Sequence, residues 1–411
     1  MKYDLAILGG GAAGLVAAIA ARDKHPNWKI VLLEKNAILG RKILITGAGR
    51  CNLTNVNLGV RGETHYNNPD FVKNILSQFG YKEITKFFNN LGLQLVEEKK
   101  NNTGKIFPAS DAASSVVDLL VDGVESRQIE IRTETVCKDI KNNGGQFELS
   151  LFAKDKKMQI VADKIILAAG GKTYPALGAD GSGFVLAQKL GHHLLEPIPS
   201  GVPLEGKNKL AQELQGLKML AEVAVSKGEK IVGDVLFTKY GLSGMGVLSA
   251  SRLLSPRLHL NKKSVQIEIN FMPGFDLESA SSFWLKRKEQ FPQRIIEIDW
   301  SGVFSNKFTK VFLQAVGLAG KKYQEITAAD LKKAIKLLVA YPWIITATRG
   351  WNEAEFTAGG VSCQEIKANT LESKKIPGLY FAGEVMDVDG EIGGYNLSWA
   401  WTSGFVAGKS V

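Results

Sequence analysis

Short apolar runs alternate with glycine-rich and helix-forming stretches at the head of the chain. Residues 5–8 form an apolar run, residues 9–14 hold the pattern GxGxxG, residues 15–22 are strong helix formers, and residues 30–33 form a second apolar run that ends in Glu34. Apolar runs of this length are typical of buried strands, and the stretch between them has the length of one helix. The pattern therefore predicts a strand–helix–strand unit with a glycine turn after the first strand.

This predicted unit has the residues that bind a dinucleotide. Gly9 allows the tight turn, Gly11 lets a pyrophosphate approach the backbone, and Gly14 lets the helix pack closely on the strand. The N–H groups at the helix start face the phosphates. Glu34 follows Gly14 by 20 residues, the spacing of an acid that hydrogen-bonds an adenosine ribose. The pattern alone does not choose between NAD and FAD. The predicted contacts are Gly9, Gly11, Ala12, Ala13, Gly14 and Glu34.

A second glycine-rich segment, "LGRKILITGAGRCNLTN" at residues 39–55, follows directly. A loop of this length is usually functional or disordered, and the apolar residues 43–45 argue against disorder. Its amides and basic side chains are suited to phosphates and ribose. Cys51 is either a buried structural cysteine or a thiol next to a flavin, because no second cysteine is near enough to make a redox pair. The predicted cofactor contacts here are Lys35, Arg41, Lys42, Gly49, Arg50, Cys51 and Asn52.

The pattern continues with helices and strands up to residue 193. Residues 69–92 show helical periodicity in two segments broken at Gly80, and three strands are predicted within residues 129–142, 145–154 and 157–171. The last strand ends in small residues, so a cofactor can pass across its carboxyl end. We assign Val136, Ala169 and Gly170 to the cofactor contacts.

The pattern changes in the middle of the chain. Residues 194–275 show short strands separated by turn residues, which predict a small β domain. Residues 276–345 are rich in Lys, Phe and Leu and predict an inserted helical segment. Residues 1–193 and 346–411 then form one discontinuous cofactor-binding domain. Its last part contains the strand "GLYFAGE" and the glycine-led helix "GGYNLSWAWTSGFVAG".

These motifs together resemble the BaiN/YhiN-like family of FAD-dependent oxidoreductases. The matching stretches are "GGGAAG", "GRKILITGAGRCNLTN", "LAAGGKTYPALGADGSG", "LFTKYGLSG", "TAGGVS" and the C-terminal block from residue 381, and they span the whole chain. The resemblance implies an α/β fold: a Rossmann-like FAD-binding domain of the glutathione-reductase and fumarate-reductase type, interrupted by a β-barrel-like and helical insert. It also implies that the tightly bound cofactor is FAD. The chain departs from the family pattern at Lys239 and Met245, where His and Pro are commoner.

The resemblance also assigns roles near the C-terminus. It places Gly383 and Glu384 near the ribityl chain and pyrophosphate of FAD. The helix that starts after Gly393 and Gly394 then points its positive end at flavin N1 and the C2 carbonyl, where a reduced flavin carries negative charge. The remaining contacts predicted in this block are Asp389, Asn396 and Leu397.

Composition and charge restrict the partners. The 411 residues have a net charge of +10, but the lysines occur in short scattered groups next to acids or turn residues, so a nucleic-acid partner is not favoured. The three cysteines are far apart and predict neither a disulfide framework nor a zinc site, which favours a reducing cytoplasm. The N-terminus lacks signal-peptide features, no apolar run reaches the roughly 20 residues that span a bilayer, and we predict neither a membrane partner nor a metal.

The predicted activity is FAD-dependent oxidation or reduction of a small organic substrate. Hydride would pass through flavin N5 in a cleft between the FAD domain and the insert, and NADH or NADPH would bind only transiently, since no second GxGxxG unit is present. The resemblance implies reductases of unsaturated ring ketones or oxidases of small amines. The alternative of a different class is a flavoprotein that acts on or binds RNA. The oligomeric state is not predicted. The candidate catalytic side chains are Tyr174, Tyr240, Arg349, Tyr395 and Cys51.

Overall fold

A computed structural model describes residues 1–99, 103–154, 156–225, 228–261 and 263–411. Its contacts divide the chain into two compact units, each with its own hydrophobic core. The head-and-tail unit comprises Met1–Ile198 and Phe356–Val411, and the central unit comprises Pro199–Glu355. The sequence-based boundaries after residues 193 and 345 differ from these by 5 and 10 residues.

The strands, numbered along the chain, belong to four sheets. They are β1 (Lys2–Leu8), β2 (Ile30–Leu33), β3 (Thr54–Asn55), β4 (Leu95–Glu97), β5 (Lys105–Pro108), β6 (Glu130–Arg132), β7 (Thr135–Asn142), β8 (Phe147–Ala153), β9 (Lys156–Leu167), β10 (Leu194–Ser200), β11 (Leu204–Glu205), β12 (Lys218–Val225), β13 (Glu229–Thr238), β14 (Gly241–Ser243), β15 (Val265–Asn270), β16 (Tyr341–Ile345), β17 (Ala347–Thr348), β18 (Phe356–Val361) and β19 (Leu379–Phe381).

The α-helices are numbered in the same way. They are α1 (Ala12–Lys24), α2 (Arg41–Ile45), α3 (Pro69–Leu76), α4 (Tyr81–Asn90), α5 (Ala113–Glu125), α6 (Ser182–Lys189), α7 (Lys209–Glu213), α8 (Met245–Leu260), α9 (Leu277–Gln290), α10 (Ile296–Trp300), α11 (Asn306–Ala315), α12 (Ala328–Val339) and α13 (Tyr395–Ser410). None of the helices in the described part of the chain is both long and apolar enough to cross a bilayer.

A seven-stranded mixed sheet forms the centre of the head-and-tail unit: β6, β2, β1, β9 and β19 run parallel, and β8 and β7 extend the sheet from β9 with antiparallel pairing. β1 lies between β2 and β9, and β19 pairs with the C-terminal end of β9. The last residues of these four strands, Leu8, Leu33, Leu167 and Phe381, are aligned in the register. The loops that follow them therefore leave the sheet at one edge, which is where open parallel sheets bind nucleotides.

The first and last helices pack against each other through small residues. α1 buries every residue from 13 to 21, five of which are alanines, and a Cβ atom added to Gly404 of α13 would lie 2.3 Å from the Ala13 carbonyl oxygen. One added to Gly408 would lie 2.4 Å from the Ala17 carbonyl oxygen. The glycines of this terminal helix are therefore required because the two helix backbones approach so closely.

The central unit is an antiparallel sheet covered by helices. Its strand order is β16-β15-β12-β13-β14-β11-β17, and α9 to α12 bury aromatic side chains that include Trp284, Trp300 and Phe308. Residues 341–345, which the sequence assigns to a helical segment, form β16 and pair with β15. The 16-residue helix α8 was not predicted, since Pro256 lies inside it and a proline there removes a helical hydrogen bond.

Candidate FAD-binding site

The first glycine turn has the geometry that a pyrophosphate requires. Gly9 has φ +110°, and a Cβ atom on it would lie 2.4 Å from the Ala168 carbonyl oxygen, so only glycine fits. A Cβ atom on Gly14 would lie 1.8 Å from the Gly9 carbonyl oxygen, because α1 starts so close to β1. Around Gly11, by contrast, no heavy atom of the described residues lies within 4 Å of the Cβ position. The turn is therefore closed on the protein side and open at Gly11.

Glu34 lies at the end of β2 with its carboxylate held in place. One oxygen accepts a hydrogen bond from the Gly10 N–H at 2.8 Å, and the other accepts from the backbone and side-chain N–H groups of Asn36 at 2.8 and 2.7 Å. A carboxylate oxygen has two acceptor positions, so Oε2 keeps one for a ligand hydroxyl. Val136 is near, because the neighbouring Thr135 donates its N–H to the Glu34 carbonyl.

The second glycine-rich segment is partly helical. α2 begins after Gly40, and a 3₁₀ turn at Thr46–Gly49 follows it, so the predicted loop is helical up to the residue before Arg50. Arg50 forms ion pairs with Asp111 at 2.6 Å and Glu98 at 3.1 Å and stacks on Phe107. Its guanidinium group thereby ties this segment to β5 and its neighbours.

Two other basic residues of the predicted site also have protein partners. The Lys35 ammonium group lies 2.6 Å from Asp180 and 3.2 Å from the Ser182 hydroxyl, at the start of α6. Arg41 donates to the Asn36 side chain at 2.9 Å. Both residues are close to the end of β2, where Glu34 lies.

Cys51 and Asn52 lie where this segment meets the start of α13. Cys51 is fully buried, and burial raises the pKa of its thiol to about 12, so the thiol stays neutral. The Asn52 Oδ1 atom is buried and accepts no hydrogen bond from any described residue. Leaving such an acceptor unpaired costs about 1–3 kcal/mol, which a ligand N–H donor would recover.

Glu384 gathers contacts from three distant segments. Its carboxylate accepts from the Lys42 ammonium group at 2.8 Å and from the Thr357 N–H at 2.7 Å, and Lys42 also donates to the Thr173 hydroxyl at 2.8 Å. Burial alone raises the pKa of the Glu384 carboxyl, but the charge of Lys42 and these hydrogen bonds hold it below its ordinary value. The side chain is therefore ionised at neutral pH.

The start of α13 is an open helix N-terminus. Gly394 has φ +103°, and a Cβ atom on it would lie 2.7 Å from the Thr54 carbonyl oxygen and 3.0 Å from Asn52 Oδ1. No side chain of the described residues caps this helix. The Asn396 side chain bonds both backbone groups of Gly390 and so holds the turn before the helix. The first N–H groups of α13 lie beside the orphan acceptor of Asn52.

The remaining predicted cofactor contacts follow β9 or belong to the C-terminal block. Ala169 and Gly170 follow β9, and Gly170 has no heavy atom of the described residues within 4 Å of its Cβ position. Asp389 is buried; its carbonyl accepts from the Asn67 backbone N–H and its own N–H donates to the Asn67 side-chain oxygen. Leu397 is half-buried in the first turn of α13. Gly383 lies two residues after the end of β19, and a Cβ atom added to it would lie 2.9 Å from the Ala13 side chain.

The candidate catalytic side chains lie in both units. Tyr174, with φ +55°, and Tyr395 belong to the head-and-tail unit. Tyr240 and Arg349 are together in the central unit, where the guanidinium group lies 4.7 Å from the ring centroid and is paired with Glu205 and Glu353.

Several polar residues at the site were not predicted. Thr173 and Thr357 bind the Lys42–Glu384 pair, and Asn55 donates to the Gly393 carbonyl at 3.0 Å. Thr173 lies in "GGKT" and Thr357 in "TAGGVS". Both stretches contributed to the family resemblance, but the sequence did not assign a role to either threonine. His65, which contacts Tyr395, has no sequence signal of this kind.

These observations fit FAD. Gly11 and Gly170 leave open space in which no described residue would block a pyrophosphate. Backbone amides are available at the N-termini of α1 and α13, which no described side chain caps, and Asn52 Oδ1 is an unpaired acceptor for a flavin N–H group. A Rossmann-type fold with this site defines an FAD-dependent oxidoreductase. The family model described as "HI0933-like protein Rossmann domain" matches residues 3–410. The chain therefore belongs to the HI0933-like family, as the BaiN/YhiN-like motifs predicted.

Relatives in this family match along the full chain. A 3-dehydro-bile acid delta(4,6)-reductase from Clostridium scindens is 34% identical over 99% of this chain and 98% of its own. A ribosomal RNA dihydrouridine synthase from Escherichia coli is 29% identical over 100% of this chain and 98% of its own. Among solved structures, a 3-ketosteroid delta1-dehydrogenase from Sterolibacterium denitrificans is similar in fold, with a TM-score of 0.52 and 12% identity. The match covers 99% of this chain and 98% of the dehydrogenase chain.

Proposed function

We propose that this protein is an FAD-dependent reductase of a carbon–carbon double bond conjugated to a carbonyl group. The observation that carries this proposal is the 34% identity to the bile-acid reductase over nearly the whole of both chains. The names of this relative and of the dihydrouridine synthase describe one kind of chemistry, because an unsaturated 3-oxo steroid and a uracil ring each hold such a bond. The predicted small organic substrate is thereby narrowed to an enone or an enone-like ring.

FAD would be held by the segments described above. Gly9 to Gly14 would contact the pyrophosphate, Glu34 the ribose, and the first turn of α13 the flavin. Bound FAD supplies the hydride through N5. The protein contributes position and charge: the positive end of α13 favours negative charge on the ring system that it faces.

The electron donor belongs to the proposal as well. We infer that NADH or NADPH reduces the enzyme during a transient encounter, since the described residues show a single dinucleotide-type glycine turn. We also infer a cytoplasmic location from the three free cysteines, which are far apart in the sequence.

The test is an anaerobic titration of the purified holoprotein, followed by the visible flavin spectrum. NADH or NADPH should bleach the flavin, and cyclohex-2-enone or a 3-oxo-4,6-diene steroid should restore the colour, whereas cyclohexanone should not. Colour that returns only with oxygen, together with bleaching by a small amine, would overturn the reductase proposal in favour of an amine oxidase. Gly11→Val, which should lose FAD, is the matched control.

An RNA substrate is the second candidate because of how charge is distributed. The central unit holds 22 Lys and Arg against 15 Asp and Glu, so it contributes +7 of the net charge of +10. A polyanion bound through lysines would show binding that weakens steeply between 50 and 200 mM salt. A gel-shift series with a ribosomal RNA fragment tests this. Retention that does not change with salt, or no retention at low salt, removes RNA as a substrate.

A further inference from the structure

Three side chains next to the start of α13 form a hydrogen-bonded chain that the predicted FAD contacts do not use. A Glu391 carboxylate oxygen lies 2.8 Å from His65 Nδ1, and His65 Nε2 lies 3.3 Å from the Tyr395 hydroxyl. The rings of His65 and Tyr395 also stack, with centroids 4.2 Å apart. A carboxylate on Nδ1 fixes the tautomer that leaves Nε2 directed at the phenol.

The backbone holds this chain in place from both ends. Glu391 donates its N–H to the His65 carbonyl at 3.0 Å, and the Tyr66 hydroxyl donates to the Tyr395 carbonyl at 2.8 Å. The arrangement therefore does not depend on the side-chain contacts alone.

Solvent exposure falls along these three hydrogen-bonded side chains, from Glu391 through His65 to Tyr395. The Glu391 side chain is 49% exposed, His65 is 24% exposed, and Tyr395 is 4% exposed. A proton from solvent thus has a short path to a buried phenol. Burial, with a contribution from Glu391, raises the pKa of Tyr395 to about 12, so the phenol keeps its proton until an acceptor takes it.

We propose that Glu391, His65 and Tyr395 form a proton relay that delivers the proton accompanying hydride addition to the substrate double bond. This inference rests on the proposed reductase function. A hydride, which carries both electrons, would come from bound reduced FAD and form the new C–H bond at one carbon. Tyr395 donates its phenolic proton to the other carbon, or to the carbonyl oxygen conjugated with it.

The relay then returns to its starting state. A proton from solvent converts neutral His65 to the imidazolium form, which then gives its Nε2 proton to the Tyr395 oxygen. His65 is neutral again, with its Nδ1 proton still hydrogen-bonded to Glu391. Tyr395 is the catalytic residue in this scheme. His65 and Glu391 are positioning residues, since they act through Tyr395.

Stopped-flow measurements on the holoenzyme test the relay. Tyr395→Phe should leave flavin reduction by the donor unchanged but slow reoxidation by cyclohex-2-enone by about 100-fold or more, because a general acid contributes about 10²–10⁴-fold. The substrate concentration for half-maximal rate should change little, and the solvent deuterium isotope effect on reoxidation should change. His65→Gln should show the same pattern with a smaller loss. Tyr380→Phe, another buried tyrosine of this unit, is the matched control.

A second readout is independent of turnover. In protein with ¹⁵N-labelled histidine, the neutral His65 ring should carry its proton on Nδ1, and Glu391→Ala should move it to Nε2. A Tyr395→Phe rate equal to that of Tyr380→Phe, or an Nε2–H tautomer in the wild type, would overturn the relay and leave the reductase proposal standing. A wild-type flavin that no enone reoxidises would overturn both.

Discussion

At the scale of single residues, Glu384 joins parts of the chain that are far apart in sequence. Lys42 comes from the second glycine-rich segment, and Thr357 from the segment that returns from the central unit. The Glu384 side chain is 22% exposed and that of Lys42 is 29% exposed, so the pair is shielded from solvent only in part. A partly buried carboxylate needs such partners, because loss of one leaves a charge without compensation.

Lys42→Met should destabilise the protein by about 1–3 kcal/mol, since the Glu384 carboxylate would lose its cation while remaining partly buried. Glu384→Gln should cost less, because an amide needs no counter-charge. Urea denaturation of both variants and of the double variant measures the coupling. Lys35→Met, which breaks the more exposed pair with Asp180, is the control. Additive effects of the two substitutions would show that the pair does not stabilise the fold.

The same carboxylate should make stability depend on acid. The pKa of Glu384 in the folded protein lies below its ordinary value, so the ionised carboxylate stabilises the folded state. This stabilisation is complete above the unfolded-state pKa of about 4.3, and it is lost as the pH falls through the folded-state pKa. The stability difference between the wild type and Glu384→Gln should therefore shrink below about pH 4. Denaturation curves from pH 7 to 3 check this, and a difference that does not change with pH would contradict it.

At the scale of elements, the glycines of the turn between β1 and α1 differ in what surrounds them. Gly14 lies against the Gly9 backbone, whereas Gly11 faces open space. The two glycines occur in one motif and are indistinguishable in the sequence. The structure gives them different physical roles.

Gly11→Val should therefore fold normally and bind little FAD, since its added side chain enters only the space that a pyrophosphate would use. Gly14→Val should be destabilised even without FAD, because its Cβ atom would meet a backbone oxygen. Thermal melts of the apoproteins and the ratio of absorbance at the flavin band to that of the protein distinguish the two. Full flavin content in Gly11→Val would show that the pyrophosphate lies elsewhere.

At the scale of the whole molecule, the chain has two cores that share no residues. One lies around the mixed sheet of the head-and-tail unit, and the other around Trp284, Trp300 and the antiparallel sheet of the central unit. The predicted FAD contacts all belong to the head-and-tail unit. A ligand raises the unfolding temperature of the unit to which it binds.

Calorimetry of the apo and holo forms should show two transitions, of which FAD raises only one. The shift should be several degrees, since ligand at 100 times its Kd stabilises by about 2.7 kcal/mol. Gly350→Ala, in an open part of the central unit, should move neither transition. A single transition that FAD moves as a whole would show that the two cores unfold together.

The sequence predicted those parts of the fold and site whose signals are local. The type and order of β1, α1 and β2 follow from apolar runs and glycines within about 30 neighbouring residues, although β1 and α1 extend beyond the predicted residues 5–8 and 15–22. The Lys42–Glu384 pair joins residues 342 positions apart, and no pattern within either segment encodes the pairing. The same is true of His65 and Tyr395, which are 330 positions apart. Helix α8 was missed because its proline contradicts a local rule that its tertiary contacts override.

The pairing of α1 with α13 also has a consequence for biosynthesis. The alanine face of α1 is made early, but the helix that covers it is separated from it by some 370 residues. At the usual rates of translation, about 5–20 residues per second, the ribosome needs roughly 20–70 s to reach α13. The contiguous central unit can finish folding in that interval, while the nascent FAD site waits with an apolar surface uncovered. The proposed FAD site, which includes the start of α13, is therefore complete only after α13 has been made.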